Sequence, residues 1–184
     1  MWRTIASRIV ARFSSLARCE PNARCSRASA THWSAIAREQ RAFGSHLAAE
    51  ANRATIREAI VRHIVADELL VARAESGDDA DEPADGVVGF VMFGPEGERY
   101  EQDVSRGIVR NVVVASERRN EGIGTELLAA AESALHEAGY EAVALSVLAD
   151  NAAARRWYAR LGYIPHRVEL EKRLESDTDK PEGG

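Results

Sequence analysis

The chain is poor in cysteine, in lysine and in long apolar runs, and each shortage excludes a class of protein. It holds two cysteines, and lysine occurs only at Lys172 and Lys180. Cys19 and Cys25 have no second Cys or His pair at metal-ligand spacing, so we interpret both as free thiols and expect no metal site. No apolar run approaches the roughly 20 residues of a membrane-spanning helix, so we expect a cytoplasmic protein without a membrane segment.

Charge is divided unevenly along the chain. Residues 1–49 carry a net charge of +6 and residues 50–184 one of −11, which together give −5. An acidic, lysine-poor composition resembles that of proteins from salt-loving archaea. The basic start fits that setting badly, and three interpretations stay open: a transit peptide, a basic arm for nucleic acid or anionic surfaces, and a start translated upstream of the true domain. We favour the last, so nucleic acid is not an expected partner and residues 1–30 are expected to be dispensable for turnover.

Downstream of this segment, the pattern predicts two helices and then a group of strands. Apolar residues at helical spacing run through residues 32–68, with Gly44 and Asn52 as breaks between two helices. Strands are predicted at "ELLVARA", "VVGFVMFG" and "RGIVRNVVV", and the last two are expected to pair antiparallel. Residues 75–86 are acidic and rich in turn-forming types, which indicates a solvated loop.

The second half of the chain alternates helix and strand. The pattern predicts a helix at "TELLAAAESALHEAG" ended by Gly139, a strand at "YEAVALSVL" parallel to the preceding one, a helix at "NAAARRWYARLG" capped by Asp150 or Asn151, and a last strand at "HRVELEKRL". We therefore predict an α/β fold with a mixed sheet, antiparallel in its N-terminal half and parallel in its second, flanked by helices. We assign the domain to residues 31–176, after a basic segment 1–30 of uncertain order and before a polar tail 177–184.

The stretch "VVVASERRNEGIGTELLAAAE", residues 112–132, contains a glycine-spaced turn between a strand and a helix. Such a turn presents backbone N–H groups at the positive end of the helix dipole, where phosphate binds readily. The third glycine of a dinucleotide fingerprint is absent after Gly124, and so is the Gly-Lys-Ser/Thr of a P-loop. The candidate ligand is a different phosphorylated cofactor, and tight packing of helix on strand is the alternative explanation.

Two motifs in this order resemble those of the GCN5-related N-acetyltransferase family. "RNEGIG", residues 119–124, fits the family's Arg/Gln-x-x-Gly-x-Gly/Ala signature, and "DNAAARRWYARLGY" is similar to its second signature, Asn-x-x-x-x-x-x-Tyr-x-x-x-Gly-Phe/Tyr. The resemblance covers roughly residues 108–163. It implies the family's mixed sheet around an acetyl-coenzyme A-binding strand, and transfer of an acetyl group to a primary amine by direct attack in a ternary complex.

The resemblance also implies a role for particular residues. The pyrophosphate of acetyl-coenzyme A is expected on the turn amides, with Arg118 or Arg119 adding positive charge and Glu121 pointing outward. The pantetheine arm is expected along strand residues 112–114, which must splay from their neighbour. Tyr158 stands at the position of the proton donor for the leaving thiolate, and a core aromatic is the alternative. The implied cofactor-binding residues are Val112, Val113, Val114, Arg119, Asn120, Glu121, Gly122, Ile123, Gly124, Thr125 and Asn151.

The glutamates that act as general base in members of the family have no counterpart at the matching positions of this sequence. Relatives place a glutamate at the positions held here by Ser146 or Ile108, and Glu101 and Asp103 are explained as well by a solvated loop. We assign no base.

The acceptor is expected to bind residues 33–67 and 100–106, and it is a small-molecule amine or a peptide or protein N-terminus. The protein is expected to be a monomer or homodimer. The alternative function is a non-catalytic acyl-coenzyme A-binding sensor or partner module.

Overall fold

A computed structural model describes residues 15–18, 23–48, 50–74, 86–97, 103–172 and 174. The chain divides into two compact units, Met1–Asp150 and Asn151–Gly184, which are described separately. The expected loop at residues 75–85 and the possible base Glu101 lie outside the described residues. None of the helices in the described part of the chain is long and apolar enough to cross a membrane.

The first unit contains a mixed sheet whose described strands lie side by side in chain order, β1-β2-β3-β4-β5. The strands are β1 (Ser15–Arg18), β2 (Leu69–Arg73), β3 (Val87–Pro95), β4 (Arg106–Val114) and β5 (Ala142–Leu145). β1 to β4 pair antiparallel, whereas β5 pairs parallel with β4. This arrangement confirms the predicted fold class.

The helices of the first unit follow the predicted order. They are α1 (Ala23–Gln40), α2 (Arg53–Val65) and α3 (Ile123–Glu137), with short 3-10 turns at Arg41–Phe43 and Ser116–Arg118. Gly44 and Asn52 lie between α1 and α2, as predicted. Gly139 adopts a φ of +91°, a left-handed conformation that ends α3 at the expected residue.

The core lies on both faces of the sheet. Isoleucines of α2 pack against Phe90 and Val113 on one face. On the other face, a Cβ built at Gly89 would lie 3.2 Å from Leu127 of α3. Because neighbouring residues of a strand face opposite sides, α3 covers the sheet face opposite to α2. β3 is therefore enclosed on both faces, which explains its unbroken apolar sequence.

Part of the basic N-terminal segment belongs to the folded unit. β1 forms an edge of the described sheet, and α1 begins at Ala23, so its first two turns precede Thr31. Cys25 is only 1% exposed and is disulfide-bonded, so its interpretation as a free thiol is wrong. The other cysteine, Cys19, lies outside the described residues. Removal of residues 1–30 is thus expected to take away β1 and part of the core.

The second unit contains α4 (Ala152–Arg160). The prediction of a last strand at "HRVELEKRL" is wrong, because residues 163–172 form neither strand nor helix. Apolar Val168 and Leu170 alternate with charged residues, yet they are 79% and 90% exposed. Alternation alone does not make a strand, since its backbone groups need a neighbouring strand as hydrogen-bond partner. No such partner lies along this segment among the residues described in its unit.

Candidate functional site

β4 leaves its second half open on the side away from β3. Its pairing with β5 covers only Arg106–Val109 against Ala142–Leu145, whereas its pairing with β3 continues to Val114. The register against β3 shifts after Val109, so that Arg110 is an extra, bulged residue. Residues 112–114 are therefore not paired with β5, as the predicted splaying requires, and the pairing ends next to the bulge.

The backbone direction along this open edge follows from one hydrogen bond. The Ala115 N–H donates to the Val88 carbonyl of β3 over 2.9 Å. Because backbone groups alternate in direction along a strand, Val113 also faces β3, and Val112 and Val114 direct their N–H and C=O groups to the open side. The Val113 side chain is 1% exposed in the core. Val112 and Val114 can thus bind an extended ligand, while Val113 anchors the strand.

The turn after β4 has the geometry of an anion-binding site. Asn120 and Gly122 adopt φ values of +65° and +91°, immediately before α3. Among the described residues, none accepts a hydrogen bond from the backbone N–H groups of residues 120–124. The Thr125 N–H is engaged, since it donates to the Gly122 carbonyl over 2.9 Å. The predicted amide cluster is therefore open from Asn120 to Gly124, at the N-terminus of a 15-residue helix.

Both arginines of the turn have acidic partners. Arg118 pairs with Glu121 over 3.1 Å, so Glu121 does not simply point outward. Arg119 pairs with Glu39 of α1 over 2.9 Å, and its Nε donates to the Val114 carbonyl over 3.4 Å. The sequence showed no signal for the contact with Glu39, because 80 residues separate the two partners. Each salt bridge restricts the arginine side chain and partly neutralises the positive charge that the arginine brings to the turn.

Glu126 is a second acidic group that sequence reasoning missed. An ideal Cβ at Gly122 would lie 3.9 Å from its Oε1, and its Oε2 is buried without a hydrogen-bond partner in the structure. Burial raises the pKa of Glu126 above the ordinary value of 4.5. An ionised carboxylate next to the amides would repel an anionic ligand, and protonation removes that repulsion.

The second unit holds the remaining predicted site residues. Asn151 caps α4, since its Oδ1 accepts from the Ala154 N–H over 3.0 Å. Tyr158 is half-buried, with its ring centroid 4.7 Å from that of Trp157 and 5.6 Å from that of Tyr163. Burial raises the pKa of Tyr158 above 10.0, so its hydroxyl is protonated at neutral pH. The cap is established, and the cofactor and donor roles of Asn151 and Tyr158 stay predictions.

The described positions considered for a general base lie in β4, just after β5 and in the segment before β4. Ser146 lies just after β5, Ile108 is half-buried in β4, and Asp103 is exposed. In the described ranges, no group of three or more His, Cys, Asp or Glu side chains could hold a metal ion.

Comparison with solved structures shows a shared fold. A GCN5-related N-acetyltransferase from Ralstonia eutropha JMP134 is 20% identical with a TM-score of 0.65, covering 87% of this chain and 97% of the other. A protein from Clostridium difficile 630 described as a "possible acetyltransferase" is 14% identical with a TM-score of 0.63, covering 88% and 97%. A Trypanosoma brucei acetyltransferase is 18% identical with a TM-score of 0.52, covering 87% and 99%.

Sequence comparison assigns the family. A search of curated proteins finds no match. The family model described as "Acetyltransferase (GNAT) family" matches residues 39–163, which include β2 to β5 and the whole glycine turn. The chain therefore belongs to the GNAT acetyltransferase family.

Proposed function

We propose that this protein is an acetyl-coenzyme A-dependent N-acetyltransferase that transfers the acetyl group to a primary amine by direct attack in a ternary complex. The observation that carries the proposal is the continuity of two binding features. The open edge of β4 at residues 112–114 leads directly into the turn whose amides, residues 120–124, have no acceptor among the described residues. A ligand with an extended amide-containing arm and a pyrophosphate matches these features in that order.

The open strand edge also supports the chemistry. Attack of an amine on the thioester carbonyl places negative charge on its oxygen, and an outward N–H of Val112 or Val114 is suited to stabilise that charge. The thiolate then leaves with a proton, for which Tyr158 is the proposed donor. Its signature position and its protonated hydroxyl support this role.

The acceptor is proposed to be a cationic primary amine, on a small molecule or at a peptide N-terminus. The charge of −11 on residues 50–184 supports this class, because a negative domain attracts a positively charged substrate.

The test combines cofactor binding with turnover. Calorimetry measures acetyl-coenzyme A binding, and release of free thiol is followed with a panel of polyamines, amino sugars and short peptides. We expect binding and acceptor-dependent thiol release. Absence of binding would overturn the cofactor assignment. Binding without acceptor-dependent release across the panel would instead favour the non-catalytic acyl-coenzyme A-binding module.

A further inference from the structure

Outside the glycine turn, His63 and Glu68 form a hydrogen-bonded pair of titratable side chains. His63 lies in the last turn of α2, and its Nδ1 is 2.9 Å from Oε2 of Glu68, just before β2. A carboxylate only accepts hydrogen bonds, so Nδ1 carries the proton and Nε2 keeps its lone pair. The pair thus presents an imidazole in the tautomer that can take up a proton at Nε2.

The backbone holds this pair in place. The Glu68 N–H donates to the His63 carbonyl over 2.8 Å, and the Phe93 N–H donates to the Glu68 carbonyl over 3.0 Å. The Glu68 carboxylate fills the space above Gly94, where an added Cβ would lie 2.7 Å from it. The side chains of His63 and Glu68 are 16% and 25% exposed, so they are largely enclosed yet reachable.

The pair lies close to the point where β4 opens. Gly94 is directly opposite Ile108 of β4, so the Glu68 carboxylate and the Ile108 side chain lie on the same face of the sheet, above neighbouring strands. Arg110, the bulged residue, donates from its guanidinium to the Pro95 carbonyl over 2.8 Å. This bond ties the bulge at the start of the open edge to Pro95, the residue after Gly94, above which the Glu68 carboxylate lies.

We propose that His63 is the general base that deprotonates the acceptor amine, directly or through one water, and that Glu68 is its positioning residue. The assignment rests on the proposed acetyl transfer. His63 Nε2 takes one proton from the ammonium group, and the amine nitrogen forms the C–N bond as the C–S bond breaks. The departing thiolate takes a proton from Tyr158, the proposed donor. The second proton lost by the amine nitrogen restores the Tyr158 hydroxyl through solvent, and His63 releases its own proton to solvent.

Burial keeps His63 neutral at the pH where a base is needed. Burial is the largest effect and lowers the pKa of His63 below 6.5. Glu68 raises this pKa, whereas Arg110 and Arg62 lower it. Wild-type activity is therefore expected to rise with pH through a value below 6.5 and to level off near neutrality.

The experiment compares His63→Asn with the exposed control His136→Asn in the full chain. Asn keeps a donor toward Glu68 but cannot act as a base. With a good acceptor at pH 7, turnover of His63→Asn is expected to fall by about 10² to 10⁴. This loss of turnover should become smaller as the pH approaches the pKa of the acceptor amine, because the amine is then deprotonated in solution without a base from the protein. A purely structural role predicts the same loss at every pH.

Two further measurements separate the possible failures. Glu68→Gln removes the charge that raises the pKa of His63, so the rising limb of the pH profile should move to lower pH. Acetyl-coenzyme A affinity and urea unfolding of each variant report on the fold and on the cofactor site. If His63→Asn turns over as fast as the wild type at all pH values, the assignment of His63 as the base is overturned and the proposed acetyl transfer is not. Absence of acetyl transfer by the wild-type protein would overturn the proposed function and the base with it.

Discussion

Replacement of Gly122 by leucine tests the cofactor site with an internal control. Gly122 and Gly139 lie at the two ends of α3, and both have a φ of +91°. A Cβ at Gly122 would meet only Glu126 at 3.9 Å, and one at Gly139 would meet nothing within 4 Å. Leucine at either position should therefore destabilise the fold by a similar amount, about 1–2 kcal/mol, the cost of a left-handed L-residue. Only at Gly122 does the new side chain enter the space above the turn amides.

The expected loss of affinity follows from the hydrogen bonds that this side chain blocks. A charge-assisted hydrogen bond contributes about 1.5–3 kcal/mol. Loss of two between the turn and the pyrophosphate gives about 3–6 kcal/mol, which weakens binding roughly 10² to 10⁴-fold. Calorimetry with acetyl-coenzyme A measures the affinities, and urea unfolding checks that the two variants are equally stable. Equal affinity of Gly122→Leu and Gly139→Leu would refute the assignment of the turn as the phosphate site.

Three further changes test other parts of the reasoning. Tyr158→Phe keeps the ring packing and removes the hydroxyl, so single-turnover rates should fall by about 10² to 10⁴ with little change in stability, and rates that match wild type at every pH would exclude the donor role. Deletion of residues 1–30 removes β1 and buried Cys25, so urea unfolding should show clear destabilisation, contrary to a dispensable segment. Gly89→Ala places a Cβ 2.7 Å from the Val113 carbonyl and should destabilise by about 1–3 kcal/mol, whereas Gly97→Ala, with nothing within 4 Å, should leave the unfolding midpoint unchanged.

Local pattern was enough to predict most elements. The apolar runs predicted β2, β3 and β4, and β4 occupies the same nine residues, Arg106–Val114, as the predicted strand. Glycine and asparagine marked the ends of the helices, as at Gly139 and Asn151. These features depend on the conformational preferences and side chains of residues a few positions apart, so the sequence alone contains them. The same holds for the glycine turn and the second signature, which both lie within residues 108–163.

Local pattern did not predict β1 or the structure of residues 163–172 correctly. The alternation at Val168 and Leu170 predicted a strand that the described structure does not form, since a strand exists only with a partner. Conversely, β1 is only four residues long and has no strong pattern, yet pairing with β2 places it in the sheet. The sequence spacing predicts a free thiol at Cys25, whereas the structure has it disulfide-bonded, because spacing alone does not reveal a disulfide.

The charged contacts of the site were decided by tertiary structure alone. Folding places Glu39 beside Arg119, although 80 residues separate the two in sequence. The bulge at Arg110 and the end of the β4–β5 pairing at Val109 likewise depend on how three strands fit together. A sequence specifies which residues can form a strand, a turn or a cap, because those preferences act over a few neighbouring positions. Which strand edge stays open, and which acids meet which bases, is set by long-range packing, since only the folded sheet holds those groups within a few ångströms of one another.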